Sequence, residues 1–282
     1  MAVESTKEMP ALDFAFSEKT DERVEALVRF LDALHQLPGI RANHKRTIKL
    51  LGIEDGFQLL ELGCGAGNYS HDVFPLVGVG GRVVGLDQSS ALVDVARKRA
   101  KEFGMPIEYV VGDVQAIPFP DATFDGCRIE RVLQYVDDPR VAIAEMMRVT
   151  KPGGRIVASE ADWDNTVCDL PGLDRAIWRR ANDAISDGSG NGWMGRELRR
   201  LFLDAGLKDV HCEGAMAVID DACLLLDDLG GRMEFERSGD AGANSAEDTA
   251  LLLAHIDEAA RKDRFFWAMS MFTVSGRVPP AT

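Results

Sequence analysis

Leu59-Leu60-Glu61-Leu62-Gly63-Cys64-Gly65-Ala66-Gly67-Asn68 is the stretch whose reading decides the fold. A short apolar run carrying one acid is followed by glycines at alternate positions, Gly63, Gly65 and Gly67. Apolar runs of this length bounded by glycine read as a buried strand. Asn68 to Leu76 has helical character, which makes the glycines a strand-to-helix turn. Without Cβ atoms they reach φ/ψ values closed to other residues and let a ligand lie directly on the backbone. The helix N-terminus behind them adds unpaired N–H groups and a positive dipole end.

Spacing separates this loop from the dinucleotide-binding turn. That turn needs Gly-x-Gly-x-x-Gly, its third glycine packing helix against strand. Here the order is Gly-x-Gly-x-Gly, preceded by Glu61. A carboxylate where a diphosphate would lie repels it and suits an ammonium or sulfonium ligand. An NAD-binding oxidoreductase is disfavoured on both grounds.

On the N-terminal side, residues 1–19 lack periodicity and read as a loose arm. Val24, Leu27, Val28, Leu31 and Leu34 then form a helical stripe, with Thr20 near its start. Pro38-Gly39 is expected to stop that helix, and a second runs from about Ile40 to Leu51. Residues 1–51 thus read as a helical cap over the glycine loop.

On the C-terminal side, Arg82 to Leu86 is a strand ending in Asp87, within reach of a ribose on the neighbouring strand end. Two vicinal hydroxyls make a bidentate partner for one carboxylate; an N-cap for a helix over Ser89–Phe103 is the competing role. Ile107–Val111 is a third strand ending at Gly112-Asp113, an acid placed to accept from an exocyclic amine. Phe124–Ile129 is a fourth, with Glu130 and Arg131 at its end. A helix follows from Pro139, stopped by Lys151-Pro152-Gly153-Gly154, and Arg155–Ser159 is a fifth strand before Glu160. Strands alternating with helices at this spacing imply a parallel α/β sheet, which binds ligands outside the carboxyl ends of its strands. Glu61, Asp87, Asp113, Glu130 and Glu160 all stand there.

Residues 52–282 read as the main domain, interrupted by lid insertions at about 162–195 and 220–262. Within them 186–192 reads as a flexible run, 220–229 as helical, 237–243 as a glycine-rich loop, and Ser245 as a helix start. Lys208–Ile219 alternates like a strand, and Phe265–Val278 is expected to pair with it and close the sheet with an antiparallel edge.

The formal charge of −14 disfavours nucleic acid and anionic membrane surfaces as partners. No secretory leader and no run of 18 apolar residues is seen, and the cysteines show no CxxC or metal-ligand spacing. A cytoplasmic protein with no resident metal is the expectation.

In combination these stretches resemble the class I S-adenosylmethionine-dependent methyltransferases, in the quinone-biosynthesis and natural-product branch. The residues that carry the resemblance are Leu59–Gly67, Val84–Asp87, Gly112–Pro120 with Phe124-Asp125, Glu130–Val136 and Lys151–Gly154, within about residues 40–210. It implies a Rossmann-like, mostly parallel sheet with an antiparallel last strand and S-adenosylmethionine as cofactor. It also implies that Gly63, Gly65 and Gly67 line the cofactor's methionine end, with Glu61 near the amino group. Asp87 would hold the ribose, Asp113 and the Val114 backbone would read adenine, and Gln88 would flank the ring. Glu130 and Arg131 would border the sulfonium.

Where many relatives carry a histidine after strand four, this chain has Tyr135, a phenol too weakly basic to serve as a base at neutral pH without help. His255, on a stripe with Leu252 and Ile256, is the other candidate catalytic group, weighed against a packing role. Trp163 and Trp193 are the candidate acceptor contacts. Asp220-Asp221 and Asp227-Asp228 read as a solvated face rather than a magnesium site. The expected activity is methyl transfer to a small, fairly apolar molecule, at oxygen, in secondary metabolism. The alternatives are C- or N-methylation, or a cofactor-retaining enzyme of cyclisation or isomerisation.

Overall fold

The computed structural model describes residues 21–280, so the arm 1–19 and Thr20 lie outside the described residues. The strands are β1 (Gln58–Leu62), β2 (Arg82–Asp87), β3 (Glu108–Val111), β4 (Phe124–Glu130), β5 (Thr150–Cys168), β6 (Lys208–Ile219) and β7 (Trp267–Arg277). They form one sheet in the order β3-β2-β1-β4-β5-β7-β6. Neighbours among the first five are parallel, and β7 runs antiparallel to both β5 and β6.

The apolar runs in β1 and β2 are continuous because both faces are covered. Alternate residues serve opposite layers. Leu60, Leu62, Val84 and Leu86 pack with Met146 of α5 (Pro139–Val149) and Phe202 of α7 (Met194–Asp204). Leu59 and Val83 pack on the other face with Tyr69 and Val73 of α3 (Asn68–Val73) and with Val93 and Ala96 of α4 (Ser90–Glu102). A third apolar cluster joins the far ends of β5–β7 to α6 (Arg175–Gly188), α8 (Gly231–Asp240) and α9 (Ala246–Arg261).

Several boundaries differ from the sequence reading. α1 (Asp21–Gln36) stops before Pro38 as expected, Leu37 being extended, but Pro38 and Gly39 are not a spacer: they form the first turn of α2 (Pro38–Leu51), where the missing N–H of Pro38 costs nothing. The glycine-rich 237–243 segment is largely the end of α8, because Phe235 and Ser238 are buried in the lid and packing overrides glycine's poor propensity. Of 220–229, a single wide helical turn forms at Leu224–Asp228. The run 186–192 begins as the last turn of α6. The fifth strand continues to Cys168, paired as far as Trp267, so the insertion at 162 begins inside a strand. The final strand pairs with β6 as expected, but it is inserted beside β5, so β6 and not β7 is the edge.

Helix α2 is fixed to the sheet by polar contacts. Asn43, only 1% exposed, donates to Ser159 Oγ (2.9 Å) and Glu130 Oε2 (3.2 Å) and accepts from Thr273 Oγ1 (2.8 Å). One amide thereby joins α2 to β4, β5 and β7. Asn43→Ala leaves these groups buried and short of a partner, so we expect a loss of about 1–3 kcal/mol in urea unfolding. A loss below about 0.5 kcal/mol would mean the hydroxyls re-pair without it.

Candidate active site

The glycine turn is built by backbone need. Gly63, Gly65 and Gly67 have φ of 66°, 53° and 84°, the left-handed region. The amides of Gly63 and Cys64 both donate to Leu86 O (2.7 and 3.1 Å), which ties the turn to β2. Asp87 completes that tie: Oδ2 accepts from Gly65 N (2.8 Å) and Oδ1 from Ser89 N (2.9 Å). Ser89, not Asp87, caps α4, its hydroxyl accepting from Leu92 N (3.4 Å).

Helix α1 lies across the turn. A Cβ on Gly65 would sit 3.1 Å from Leu31 Cδ1. The next residue, Asp32, accepts from Asn68 Nδ2 (2.7 Å) and pairs with both terminal nitrogens of Arg99 (2.9 and 2.7 Å). These contacts strap the cap to α3 and α4.

Beneath the turn is a buried charge network. Arg128, 3% exposed, reaches Glu61 Oε1 (3.3 Å), Thr47 Oγ1 (3.2 Å) and Glu130 Oε2, and its guanidinium lies 3.4 Å above the Tyr69 ring. Ser70 donates to the other oxygen of Glu61. Glu130 also meets Arg131 (2.9 Å) and His44 Nε2 (3.5 Å). Burial pushes Glu61 up to about 7 against the pull of Arg128 and Ser70. Burial acts on Glu130 in the same sense, but Arg128, Arg131 and His44 outweigh it and hold that carboxyl well below the usual range. His35 and His44 are both driven toward the neutral form by burial.

The sequence-predicted residues therefore divide. The glycines, Asp87 and Glu61 converge on one turn, with Glu61 beneath it and both its oxygens engaged inside the protein. Gln88 and Asp113 are exposed just past the ends of β2 and β3, and Asp113 Oδ1 accepts from Gln115 N (2.8 Å). Val114 is buried against the core. Arg131 leaves β4 with φ of 53°, its amide bonded to Ser159 O (2.9 Å).

Tyr135 ends a short turn of helix after β4, where burial raises its phenol above the ordinary value. The neighbouring Gln134 accepts from Trp163 Nε1 (2.7 Å), and its carbonyl accepts from Asn191 N (2.9 Å), so the 162–195 segment folds back onto this turn. Trp193 is 52% exposed, under the Arg196 guanidinium at 5.3 Å. His255 lies in the lid, its Nδ1 2.9 Å from Leu251 O and its other edge toward Gly172.

Sequence reasoning missed Arg128, Asn43, His44, Thr47 and Tyr69 as site-forming residues. The signal was present: an arginine between Cys127 and Ile129 in an apolar strand, and three polar residues on one face of an otherwise amphipathic α2. Glu160 was noticed only as one of five strand-end acids. It is fully buried, accepts from Val132 N (2.9 Å) and Leu133 N (2.8 Å) through Oε1, and leaves Oε2 without a partner.

A methyltransferase-domain family matches residues 60–158, the span from β1 into β5. The chain is 34% identical over 255 residues to an uncharacterized 37.1 kDa protein in transposon TN4556 of Streptomyces fradiae, covering 90% of this chain and 72% of that one. It is 33% identical over 168 residues to the ubiquinone/menaquinone biosynthesis C-methyltransferase UbiE of Francisella philomiragia, 55% of this chain and 67% of the relative. It belongs to the class I S-adenosylmethionine-dependent methyltransferases.

With other quinone-biosynthesis methyltransferases the match spans about half of the relative's length. Among solved structures, the YcgJ protein of Bacillus subtilis superposes with a TM-score of 0.60 at 19% identity, over 86% of this chain and 100% of that one. The [4+2]-cyclase SpnF superposes at 0.55 and 20% identity, over 85% and 81%. No described helix is long and apolar enough to cross a membrane.

The family's cofactor is S-adenosylmethionine, and the residues present suit it. The left-handed glycines of the turn carry no side chains, half-buried at Gly63 and covered at Gly65 and Gly67 by Leu31 and Tyr109. Asp87, a carboxylate at the end of β2 beside Gly65 N, is an acceptor of the kind that vicinal hydroxyls pair with. Exposed Gln88 and Asp113 flank that end with polar groups suited to a purine edge.

Glu160 gives this site a pH signature. Burial raises its carboxyl from 4.5 to about 8, against the two backbone N–H donors that favour the anion. The folded state thus prefers the protonated acid. Its stability is full below the unfolded value and falls as pH rises toward 8. Glu160→Gln keeps an acceptor for Val132 and Leu133 and removes the titration. We expect the variant's melting temperature to gain steadily on the wild type between about pH 5 and pH 8. A constant difference across that range would show that Glu160 does not titrate there.

Proposed function

We propose that this protein transfers a methyl group from S-adenosylmethionine to an oxygen of a small, fairly apolar acceptor, as an enzyme of secondary metabolism. The observation that carries the reading is the strapped glycine turn: a backbone turn whose glycines carry no side chains, bordered by Asp87 and covered by α1. The cofactor supplies a methyl group already activated on a sulfonium. The protein's share is to hold, align and exclude water. Asp87 and the glycine amides position the cofactor, while Leu31 and the Asp32 strap shut solvent from the turn.

Residues 1–51 and the segments 162–195 and 220–262 would act as the cap and lid that shape the acceptor side. Trp163 and Trp193 would offer it apolar area, and His255 would stay within the lid. The Tyr135 phenol stays protonated and serves as a hydrogen-bond donor rather than a base. Glu160, fully buried in β5 with one unpartnered oxygen and held toward its protonated form near neutral pH, would act as a hydrogen-bonding acid, a role that serves oxygen and carbon acceptors alike.

The quinone C-methyltransferase relative supports a second reading, in which a hydroxyl gives up its proton, the methyl bonds to an adjacent ring carbon as the sulfonium C–S bond breaks, and that carbon loses its hydrogen as a proton while the hydroxyl is restored. Incubating the protein with methyl-labelled S-adenosylmethionine and a panel of phenols and hydroquinones decides the matter by mass spectrometry. Label on oxygen, with equimolar S-adenosylhomocysteine, is expected. Label on carbon favours the second reading. A rearranged product without S-adenosylhomocysteine makes it a cyclase or isomerase. Calorimetry should show S-adenosylmethionine binding, no comparable NAD binding, and a loss of about 1–3 kcal/mol in Asp87→Ala. Unchanged affinity in that folded variant would leave Asp87 only as a brace for the turn.

A further inference from the structure

Where the cap meets the helix behind the glycine turn, three side chains from three helices converge. His35 ends α1, His44 lies in α2 and Asp72 lies in α3. One donor atom from each falls within 4.8 Å of the other two. The imidazoles pack 5.1 Å apart at 39°, and His35 Nε2 stands 3.2 Å from Asp72 Oδ2. His44 is 6% exposed, yet its Nδ1 has no hydrogen-bond partner, and the same is true of His35 Nδ1.

Unpaired polar atoms at this depth are uncommon and require an explanation. A bound metal ion supplies one for His44 Nδ1, while His35, whose Nε2 faces Asp72, would ligate through Nε2 and keep its Nδ1 outside the site. His44 Nε2 lies 3.5 Å from Glu130 Oε1. Donation there fixes the tautomer and leaves a lone pair on Nδ1, the carboxylate–histidine arrangement that supports metal-ligating imidazoles.

We propose that His35, His44 and Asp72 form a binding site for a divalent transition-metal ion such as zinc, which clasps the helical cap to the helix after the glycine turn. Two imidazoles and one carboxylate suit a borderline ion and leave a position for water. Neighbouring ligands of a tetrahedral ion with bonds of about 2.0–2.1 Å stand about 3.3 Å apart. The His35–Asp72 pair already has that spacing, and His44 must close by roughly 1.5 Å at most, a side-chain adjustment. Asp72, 46% exposed, opens the site to solvent and gives the ion a route in. The neighbouring cations Arg41 and Arg131 oppose a positive ion, but Glu130 binds Arg131 and Asp72 faces the site itself. Nothing in the sequence spacing of 35, 44 and 72 announces such a set, because the ligands are brought together only by docking of the cap.

The test uses the full, untagged, chelator-treated chain and cobalt(II) as a spectroscopic stand-in for zinc. One equivalent should produce visible d–d bands of a tetrahedral site, zinc should bleach them, and zinc should raise the melting temperature. His35→Ala and Asp72→Ala should each weaken cobalt binding by more than about tenfold. Asp72 is exposed, so its variant keeps the fold, checked by circular dichroism. His211→Ala, which removes an exposed histidine paired with Glu213 at 2.9 Å, should bind as the wild type does. Absence of the bands in the wild type, or their persistence in both His35→Ala and Asp72→Ala, would overturn the proposal.

Discussion

The rest of the structure depends on one buried cation. Arg128 sits in the middle of the sheet with almost no exposure, and a guanidinium there is costly unless its charge and donors are answered. Two carboxylates, a hydroxyl and an aromatic face answer it, and each comes from a different element: Glu61 from β1, Glu130 from β4, Thr47 from α2 and Tyr69 from α3. The strand pairing β1–β4, the docking of the cap and the start of the helix behind the glycine turn therefore share one electrostatic requirement. Removing any partner leaves a buried charge short of compensation, a larger penalty than the worth of any single contact.

That requirement fixes how the glycine turn works. An acid before the turn reads, in the sequence alone, as a group aimed at a ligand. In the structure Glu61 holds the floor of the turn through Arg128 and Ser70, and Asp87 holds its wall through Gly65 N. The turn is thereby rigid before any ligand arrives, so less ordering entropy is lost on binding. The cap is rigid for the same reason: Asn43 and Thr47 carry the network up into α2, and Asp32 ties α1 to the far side of the turn.

The parallel sheet as far as β5 and the glycine turn were legible because they are local: short apolar runs, alternating strand and helix, and glycines where φ must be positive. The lid was not. Gly231 to Asp240 is rich in glycine and charge yet helical, because Phe235 finds a pocket formed by α6 and the wide turn before it, a partner no local pattern reveals. The position of β7 inside the sheet was hidden likewise, since an antiparallel strand satisfies β6 equally well from either side. Of the site, the strand-end acids were visible one by one, while their connection through Arg128 was not. Nor was the meeting of His35 with His44, which lie on different helices.

Three glutamates on the adjacent strands β1, β4 and β5 end in three different states. Glu130, with two arginines and a histidine around it, is held well below the usual carboxylate range. Glu61 shares Arg128 with Glu130 and receives the weaker part of it, so burial carries it up to about 7. Glu160 meets only backbone amides, whose partial charges cannot offset complete desolvation, and it rises to about 8. The fixed charge on this floor is then that of Arg128 and Arg131 against one certain carboxylate, with two others poised to change near neutrality. A site so arranged can take up a proton without opening to water.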